Sequence, residues 1–143
     1  MAAVSVIELG DEKLQTECLQ KIFSVLENSL SAEMLEELTE AVYMREDTAS
    51  TYLGESLAVP HGRVVGLGQT RVVAALSRAG VDWPTPENRA HLIVLVGVDR
   101  SKVSEYLFIL QKIIRWRRGI SDKIETLGID RIEAELNREI AGK

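Results

Sequence analysis

Residues 92–98, LIVLVGV, decide the fold class of this chain. The run is almost entirely apolar and rich in β-branched residues, which is typical of a strand that helices cover on both faces. Two neighbouring segments are also strand-like: residues 71–76 are rich in Val and Ala, and residues 57–59 form a short apolar run that stops at Pro60. The middle of the chain therefore predicts the strands of a buried sheet.

The part of the chain before these strands is mainly helical in its pattern. Residues 4–9 alternate loosely and predict a short edge strand. Asp11 and Ser31 are candidate N-caps of two helices that follow it, and the second helix is expected to end near Arg45. The apolar stripes of these helices are Leu14, Cys18 and Ile22 with Val25 or Leu26, and then Leu35, Leu38 and Val42.

Helical periodicity also follows the central strand. A proline-containing surface loop is predicted at residues 82–88, one later helix is expected to stop at Gly119, and Asp130 with Glu133 resembles the capping box of a last helix. The apolar positions of these two helices are Val103, Leu107, Leu110 and Ile114, and then Ile132, Leu136 and Ile140. We therefore predict an α/β three-layer sandwich, a mixed β-sheet flanked by helices on both faces. The pattern leaves the strand order and the direction of each strand open.

Size and composition indicate an ordinary globular protein. The chain has 143 residues, of which 45% are hydrophobic and 27% charged, and this excludes a disordered, fibrous or membrane-embedded chain. We find no repeat and no convincing linker, so residues 1–143 are expected to form one domain. The formal net charge of −5 is opposite to that of most proteins that bind nucleic acid, and no nucleic-acid partner is expected.

Cysteine content and hydropathy argue against a disulfide-rich, secreted or membrane-spanning protein. Cys18 is the only cysteine, which excludes an internal disulfide, and two histidines add little material for a zinc site. Residues 1–10 lack the basic segment of a secretory signal. The run at 92–98 is far shorter than the roughly 20 residues that a membrane helix needs. We expect a cytoplasmic protein that does not itself insert into a membrane.

The segment 45–63, REDTASTYLGESLAVPHGR, is the one that indicates chemistry. Pro60 biases Val59 to an extended conformation and interrupts strand pairing, so His61 is expected just past a strand end. Ligand chemistry in α/β proteins is often found at such ends, and imidazole suits nucleophilic or acid–base work near neutral pH. Gly62 lets a backbone or a phosphate approach closely. A lone histidine is more often structural, and the Pro-His-Gly context is what singles this one out.

Residues 51–62, TYLGESLAVPHG, resemble the phosphorylation-site motif of enzyme IIA domains of the bacterial phosphotransferase system. The similarity is to the mannitol/fructose class, which includes the nitrogen-regulatory branch. Arg45 and Glu46 also match the Arg-Glu that this family carries at the end of its second helix. The twelve-residue motif is specific, whereas the rest of the chain is similar in length and in helix–strand order.

The resemblance implies that His61 accepts a phosphoryl group from the phosphohistidine of an HPr-type carrier and passes it to a IIB partner. Phosphoryl transfer depends mainly on positioning and charge stabilisation. Arg45 and the hydroxyl of Thr51 are the implied phosphate-binding side chains, together with backbone N–H groups near Gly62. No cofactor and no metal are required. Arg45 can also be read as a helix-end residue and Thr51 as an ordinary turn residue.

One position departs from the family pattern. Where the family commonly has a second histidine, in a Glu-His-Leu sequence, this chain has Tyr106. A tyrosine hydroxyl can donate a hydrogen bond to a phosphate or to His61, but it carries no positive charge. Alternatively, Tyr106 is a packed residue of an amphipathic helix with its hydroxyl in water.

Other candidates are weaker. His91 precedes the central strand and is interpreted as structural, and Cys18 lies on an apolar stripe and is interpreted as a core residue. The basic cluster at residues 115–118 suits the C-terminal end of a helix, and a docking patch for an acidic partner is the alternative.

Three functional hypotheses follow. The first is a phosphohistidine carrier of the sugar phosphotransferase system. The second is a regulatory binding domain of the same fold, whose docking to a membrane transporter or a regulator depends on phosphorylation of His61, since a phosphoryl group adds roughly −1.5 to −2 charges. The third is a degenerate domain that only holds partners together.

Overall fold

Residues 3–141 are described by the computed structural model, and they form strands, helices and two short 3-10 turns. The strands are β1 (Val4–Glu8), β2 (Tyr52–Gly54), β3 (Leu57–Ala58), β4 (His61–Val64), β5 (Arg71–Asp82) and β6 (Arg89–Asp99). The helices are α1 (Gln15–Leu26), α2 (Ala32–Thr48), α3 (Val103–Gly119) and α4 (Ile129–Ala141), and the 3-10 turns are Arg100–Lys102 and Ile124–Thr126. None of the helices within the described part of the chain is long and apolar enough to cross a membrane.

The strands form one open, mixed sheet. Its order is β1-β5-β6-β3-β2, and β4 pairs with β6 further along the same edge as β3. The pairs β1–β5, β3–β6 and β4–β6 are parallel, whereas β5–β6 and β2–β3 are antiparallel. The predicted mixed sheet is confirmed, and the structure resolves the strand order that the sequence left open.

The run at 92–98 lies in β6, at the centre of the sheet, and all of its residues are buried. Successive side chains of a strand point to opposite faces. Accordingly, Leu92 and Val94 pack with α3 and α4, whereas Ile93 and Leu95 pack with α1 and α2. Because both faces are covered, the strand is continuously apolar rather than alternating, and the predicted three-layer sandwich is confirmed.

The helix starts differ in part from the predictions. α1 begins at Gln15 and not directly after Asp11, and the carboxylate of Glu17 accepts hydrogen bonds from the backbone N–H groups of Lys13 and Leu14, both at 3.1 Å. This carboxylate satisfies two backbone donors that precede the helix.

The N-cap predicted for α2 is confirmed. The hydroxyl of Ser31 accepts a hydrogen bond from the backbone N–H of Met34 at 3.1 Å. The capping box predicted for α4 is wrong, because this helix begins at Ile129 and Asp130 lies inside its first turn.

The buried face of α3 is not the stripe that the sequence indicated. Ile109, Ile113 and Trp116 are its buried residues, whereas Leu107 is 52% exposed. Apolar residues occupy more than one face of this helix, so spacing alone does not choose between them. Trp116 fixes the rotation of α3 about its axis, because its indole N–H donates to Glu135 of α4 at 2.8 Å.

Polar contacts fix where α3 begins. Asp99 accepts hydrogen bonds from the backbone N–H groups of Gly68 at 2.8 Å and Ser101 at 3.0 Å, and these bonds lower the pKa of Asp99 to about 2. In the next turn the carboxylate of Glu105 accepts a hydrogen bond from the buried hydroxyl of Thr70, which precedes β5. These contacts hold the first turns of α3 against the end of the sheet.

Candidate functional site

His61 lies at a break in an edge of the sheet. β3 ends at Ala58, and β4 begins at His61 itself, so the expectation that His61 follows the strand end is only partly right. Both segments pair with β6, and Pro60 separates them because it has no N–H to offer. Pro60 still accepts a hydrogen bond from Val96 N at 3.0 Å, so the backbone before the imidazole is held firmly.

The imidazole of His61 is half-buried and has a defined partner on one side. Its Nδ1 lies 3.2 Å from the carbonyl oxygen of Val59. A carbonyl only accepts, so this contact favours a proton on Nδ1 and a lone pair on Nε2. Val59 is itself held by a hydrogen bond from its N–H to the carbonyl of Thr51 at 3.1 Å.

Tyr106 packs directly on this imidazole. The two ring centroids are 4.4 Å apart with an interplanar angle of 30°, and the phenol oxygen lies 3.1 Å from His61 Nδ1. Tyr106 is partly buried against the apolar cluster under α3. Burial raises the pKa of Tyr106, with Arg45 and Arg63 opposing the shift, so the hydroxyl keeps its proton at neutral pH.

A cleft of about 310 Å³ opens beside the imidazole. It brings together residues from the end of α2, from β4 and from the start of α3. The residues that line it are Arg45, His61, Gly62, Arg63, Val103, Tyr106 and Leu107.

Two guanidiniums make this cleft electropositive. Arg45 lies in the last turn of α2, where it donates to the carbonyl of Ala49 at 2.6 Å and retains further N–H donors. Arg63 is exposed, and within residues 3–141 its guanidinium forms no hydrogen bond and no ion pair, although its backbone belongs to the ladder with β6. Burial lowers the pKa of His61 below its ordinary value of 6.5, and the two guanidiniums lower it further, although the Val59 contact raises it.

Sequence reasoning missed Arg63, Val103 and Leu107. A signal for Arg63 was present, because residues two apart on a strand point to the same face and Arg63 is two residues after His61. The sequence did not predict a strand there, since β4 is short and carries two polar residues in four. Val103 and Leu107 enter the cleft because α3 is rotated relative to the predicted stripe.

The structure does not bring Thr51 into the cleft. Thr51 is 3% exposed, and its hydroxyl donates to Glu46 while it accepts from the indole N–H of Trp83 at 3.1 Å. Burial raises the pKa of Glu46, although hydrogen bonds from Thr51 and Gln15 oppose the shift. The hydroxyl is committed to this internal network, so the geometry gives no support to the prediction that Thr51 binds phosphate.

Gly62 lines the cleft, but it lies within β4 and not in a loop. A Cβ on this residue would lie 3.1 Å from Ala41 Cβ, Val42 Cγ2 and Val42 N. The absence of a side chain therefore allows α2 to lie directly against β4. This close approach brings Arg45, at the end of α2, to the imidazole that precedes Gly62.

The weaker candidates lie elsewhere. His91 Nδ1 is 3.3 Å from the hydroxyl of Ser56, and Cys18 is buried, which raises the pKa of its thiol to about 12. In the basic cluster, Arg117 donates to the carbonyl of Glu55 at 2.7 Å. Within residues 3–141, no group of three or more His, Cys, Asp or Glu side chains is placed to hold a metal ion.

A larger groove, of about 590 Å³, lies between the end of α1 and α2. Leu30 and Leu35 line it together with the carboxylates of Glu27, Glu36 and Glu40. These carboxylates repel anions, and the groove has no imidazole. The chemistry of phosphate therefore favours the smaller cleft at His61.

Comparison with known proteins agrees with this fold. The B. subtilis (strain 168) "PTS system fructose-specific EIIABC component" is 24% identical over 109 residues, which are 75% of this chain and 17% of that protein. The crystal structure of the nitrogen regulatory protein IIA-Ntr from Neisseria meningitidis has a TM-score of 0.70 and 25% identity, covering 94% of this chain and 92% of that one.

A second solved structure shares the fold. It is the complex of enzyme IIAMtl and phosphorylated enzyme IIBMtl from Escherichia coli, with a TM-score of 0.69 and 23% identity over 100% of this chain and 98% of that chain. The family described as "Phosphoenolpyruvate-dependent sugar phosphotransferase system, EIIA 2" matches residues 4–127. The chain therefore belongs to the EIIA 2 family of the sugar phosphotransferase system.

Proposed function

We propose that this protein is a phosphohistidine carrier, in which His61 accepts a phosphoryl group from an HPr-type phosphocarrier and passes it to a IIB protein or domain. The observation that carries the proposal is the cleft that a half-buried imidazole shares with two guanidiniums, both of which act electrostatically on the ring. We further propose that residues 1–143 act as one domain in the cytoplasm, with a membrane transporter among the downstream partners.

The chemistry assigns the nucleophile to Nε2 of His61. A proton on Nδ1 that is donated to the Val59 carbonyl leaves the lone pair on Nε2. As Nε2 forms its bond to phosphorus, the bond from phosphorus to the donor nitrogen breaks, and that nitrogen keeps the electron pair. The lowered pKa of His61 keeps the ring neutral at physiological pH, as nucleophilic attack requires.

Arg45 and Arg63 are the proposed phosphate-binding residues. Charge on a transferring phosphoryl group spreads over its peripheral oxygens, and guanidiniums neutralise such charge through directed hydrogen bonds. Arg63 is not engaged elsewhere in the described chain, and it therefore replaces Thr51 in this role.

Exposed apolar side chains on the helices that form the cleft suit a protein partner. Met44, which precedes Arg45, is 70% exposed, and Leu107, which lines the cleft, is 52% exposed. Exposed apolar groups beside a charged site are typical of protein–protein contacts. The fold shared with a IIA protein solved in complex with phosphorylated IIB supports a IIB partner.

One observation supports the regulatory alternative. The fold is shared with IIA-Ntr, which is described as a nitrogen regulatory protein. In that case phosphorylation of the same imidazole would switch docking instead of feeding a transported sugar, because it replaces an electropositive surface by a nearly neutral one.

The test is phosphorylation in vitro. The protein is incubated with phosphoenolpyruvate, enzyme I and HPr, and its mass is read under alkaline conditions. We expect one phosphoryl group on the wild type and on His91→Gln, and none on His61→Ala. His91→Gln is the matched control because His91 is the other histidine of the chain.

An unmodified wild type beside an active HPr control would refute the carrier proposal. A IIB protein added to the phosphorylated chain then separates the two functions. Rapid loss of the phosphoryl group to IIB supports a carrier, whereas retention supports the regulatory alternative.

A further inference from the structure

Nδ1 of His61 faces two oxygen atoms that differ in the hydrogen bonds they can form. The carbonyl oxygen of Val59, at 3.2 Å, can only accept a hydrogen bond. The phenol oxygen of Tyr106, at 3.1 Å, can accept one or donate one. Tyr106 is therefore able to match Nδ1 whether or not this nitrogen carries a proton.

The two proton states of Nδ1 have different consequences once a phosphoryl group is on Nε2. If the ring is neutral, Nδ1 has a lone pair and needs a hydrogen-bond donor. If the ring is cationic, Nδ1 carries a proton and needs an acceptor. The cationic ring is the better leaving group, because the Nε2 electron pair released on P–N cleavage then belongs to a neutral imidazole. Water consequently removes the phosphoryl group faster from the cationic form.

Val59 alone would favour the cationic form. Its carbonyl oxygen accepts a hydrogen bond from a protonated Nδ1, but it cannot donate one to a lone pair on that nitrogen. The hydroxyl of Tyr106 supplies the donor that the neutral form needs, and burial raises the pKa of this phenol so that its proton is retained. The charged groups that face the imidazole are Arg45 from α2 and Arg63 from β4, and both also oppose an additional positive charge on the ring.

We propose, resting on the phosphohistidine carrier function above, that Tyr106 is a positioning residue that holds phosphorylated His61 in its neutral, hydrolysis-resistant form. When the phosphoryl group arrives, Nδ1 loses its proton to solvent and the hydroxyl of Tyr106 turns to donate to the vacated lone pair. The stacked ring, 4.4 Å from the imidazole, and the Thr70–Glu105 hydrogen bond in the same helical turn keep the hydroxyl in place.

The same contact affects the unphosphorylated protein. Donation by Tyr106 to Nδ1 stabilises the tautomer with its proton on Nε2, which competes with the nucleophilic tautomer. The wild type is therefore expected to populate both tautomers. Tyr106→Phe is expected to shift the equilibrium toward a proton on Nδ1, where Val59 remains as the acceptor.

The experiment compares the wild type, Tyr106→Phe and Tyr106→His, with Tyr43→Phe as the matched control. Tyr43 packs against Phe23 at 6.2 Å between ring centroids, within the apolar cluster of α1 and α2. The tautomer is read from the ¹⁵N chemical shifts of His61 in the free protein. The protein is then loaded with phosphoramidate, a small-molecule phosphoryl donor, and the half-life of the phosphohistidine is measured at pH 7.5.

We expect the half-life of phosphorylated Tyr106→Phe to fall roughly threefold to tenfold, the range that one neutral hydrogen bond provides. Tyr106→His restores a side chain that can donate or accept, and it should recover most of the half-life. Tyr43→Phe should match the wild type. A half-life and a tautomer equilibrium that are unchanged in Tyr106→Phe would overturn the inference.

Two features separate this test from the proposed function. Phosphoramidate needs no HPr, so a protein that HPr does not phosphorylate still reports the half-life. The tautomer measurement needs no phosphoryl group at all. A tautomer shift together with a shortened half-life in Tyr106→Phe, without any transfer from HPr, would support the role of Tyr106 and refute the carrier function.

Discussion

His61, Arg45 and Arg63 reach one cleft from two different elements, and their charges act on one another. The imidazole is partly removed from water and lies near two guanidiniums, so both burial and positive charge disfavour its protonation. A neutral nucleophile beside fixed positive charge suits the capture of a phosphoryl group, which brings negative charge into the cleft.

This environment predicts the titration of His61. Its pKa is expected below 6.5, and Arg63→Ala should raise it because one of the charges that oppose protonation is removed. The rate of phosphoryl acceptance should therefore be nearly flat between pH 7 and pH 8 and should fall as the pH drops through the pKa of His61. NMR titration of the imidazole protons measures the pKa, and a value above 6.5 would contradict this account of the site.

Replacing either arginine should slow phosphoryl transfer to His61 without unfolding the protein. Arg45→Ala and Arg63→Ala each remove charge-assisted hydrogen bonds worth about 1.5–3 kcal/mol, which corresponds to roughly tenfold to a hundredfold slower transfer to His61. Arg138→Ala is the control, since Arg138 is exposed on α4, where its neighbour Asn137 bonds to β1 at the opposite edge of the sheet. Quenched-flow transfer from phosphorylated HPr measures the rates, and equal rates for all three variants would remove the arginines from the site.

At the scale of elements, the contact between α2 and β4 assembles the site. The helix can lie against the strand because Gly62 has no side chain, and the C-terminal turn of α2 then carries Arg45 into the cleft. Gly62, which the sequence predicts to contact phosphate, thus has a second role, which is to allow α2 to approach β4.

Gly62→Ala tests this role. Its Cβ would lie 3.1 Å from three atoms of α2, one of them a backbone nitrogen, so the helix must shift at a cost of about 1–3 kcal/mol in the free energy of unfolding. Transfer to His61 should slow as well, because Arg45 moves with the helix. Chemical denaturation and the transfer assay measure both effects.

Gly119→Ala is the matched control for Gly62→Ala, since a Cβ at Gly119 meets nothing within 4 Å. It should leave both stability and transfer nearly unchanged. If Gly62→Ala behaved in the same way as this control, close packing of α2 on β4 would not be what positions Arg45.

Part of this arrangement of elements could be predicted from the sequence. The central strand, the helical stripes of α2 and α4, and the placement of His61 and Arg45 in one site followed from periodicity and a local motif. The stripe predicted for α1 is right except for Leu14, which precedes the helix and is 54% exposed. β2 and β4 were missed, because three or four residues with mixed polarity carry no clear period. The face of α3, and with it Leu107 in the cleft, depends on contacts with α4 that are distant in the sequence.

At the scale of the whole molecule, one sheet separates two apolar clusters. One cluster packs under α3 and α4, and the other packs under α1 and α2. The site lies where the C-terminal end of α2 and the N-terminal end of α3 meet the edge of the sheet at β4. Helices from opposite faces therefore both supply residues to the cleft, and a change in either layer is expected to reach His61.

The reactivity of Cys18 tests whether the layer formed by α1 and α2 stays packed. It lies on the buried face of α1, and burial raises its pKa to about 12, so the reactive thiolate is scarce in the folded protein. We expect a disulfide reagent at pH 8 to modify the native protein very slowly and the denatured protein completely. Rapid modification without denaturant, at the rate of a free thiol, would show that the α1 layer opens readily.

The most direct test of the central claim is ¹H–¹⁵N NMR of the ¹⁵N-labelled protein before and after phosphorylation by phosphoenolpyruvate, enzyme I and HPr. We predict that the Nε2 resonance of His61 takes the shift of a phosphorylated nitrogen, that His91 does not change, and that the spectrum reverts when a IIB acceptor is added. A phosphoryl group found on Nδ1 of His61, on His91 or on neither histidine would contradict the account.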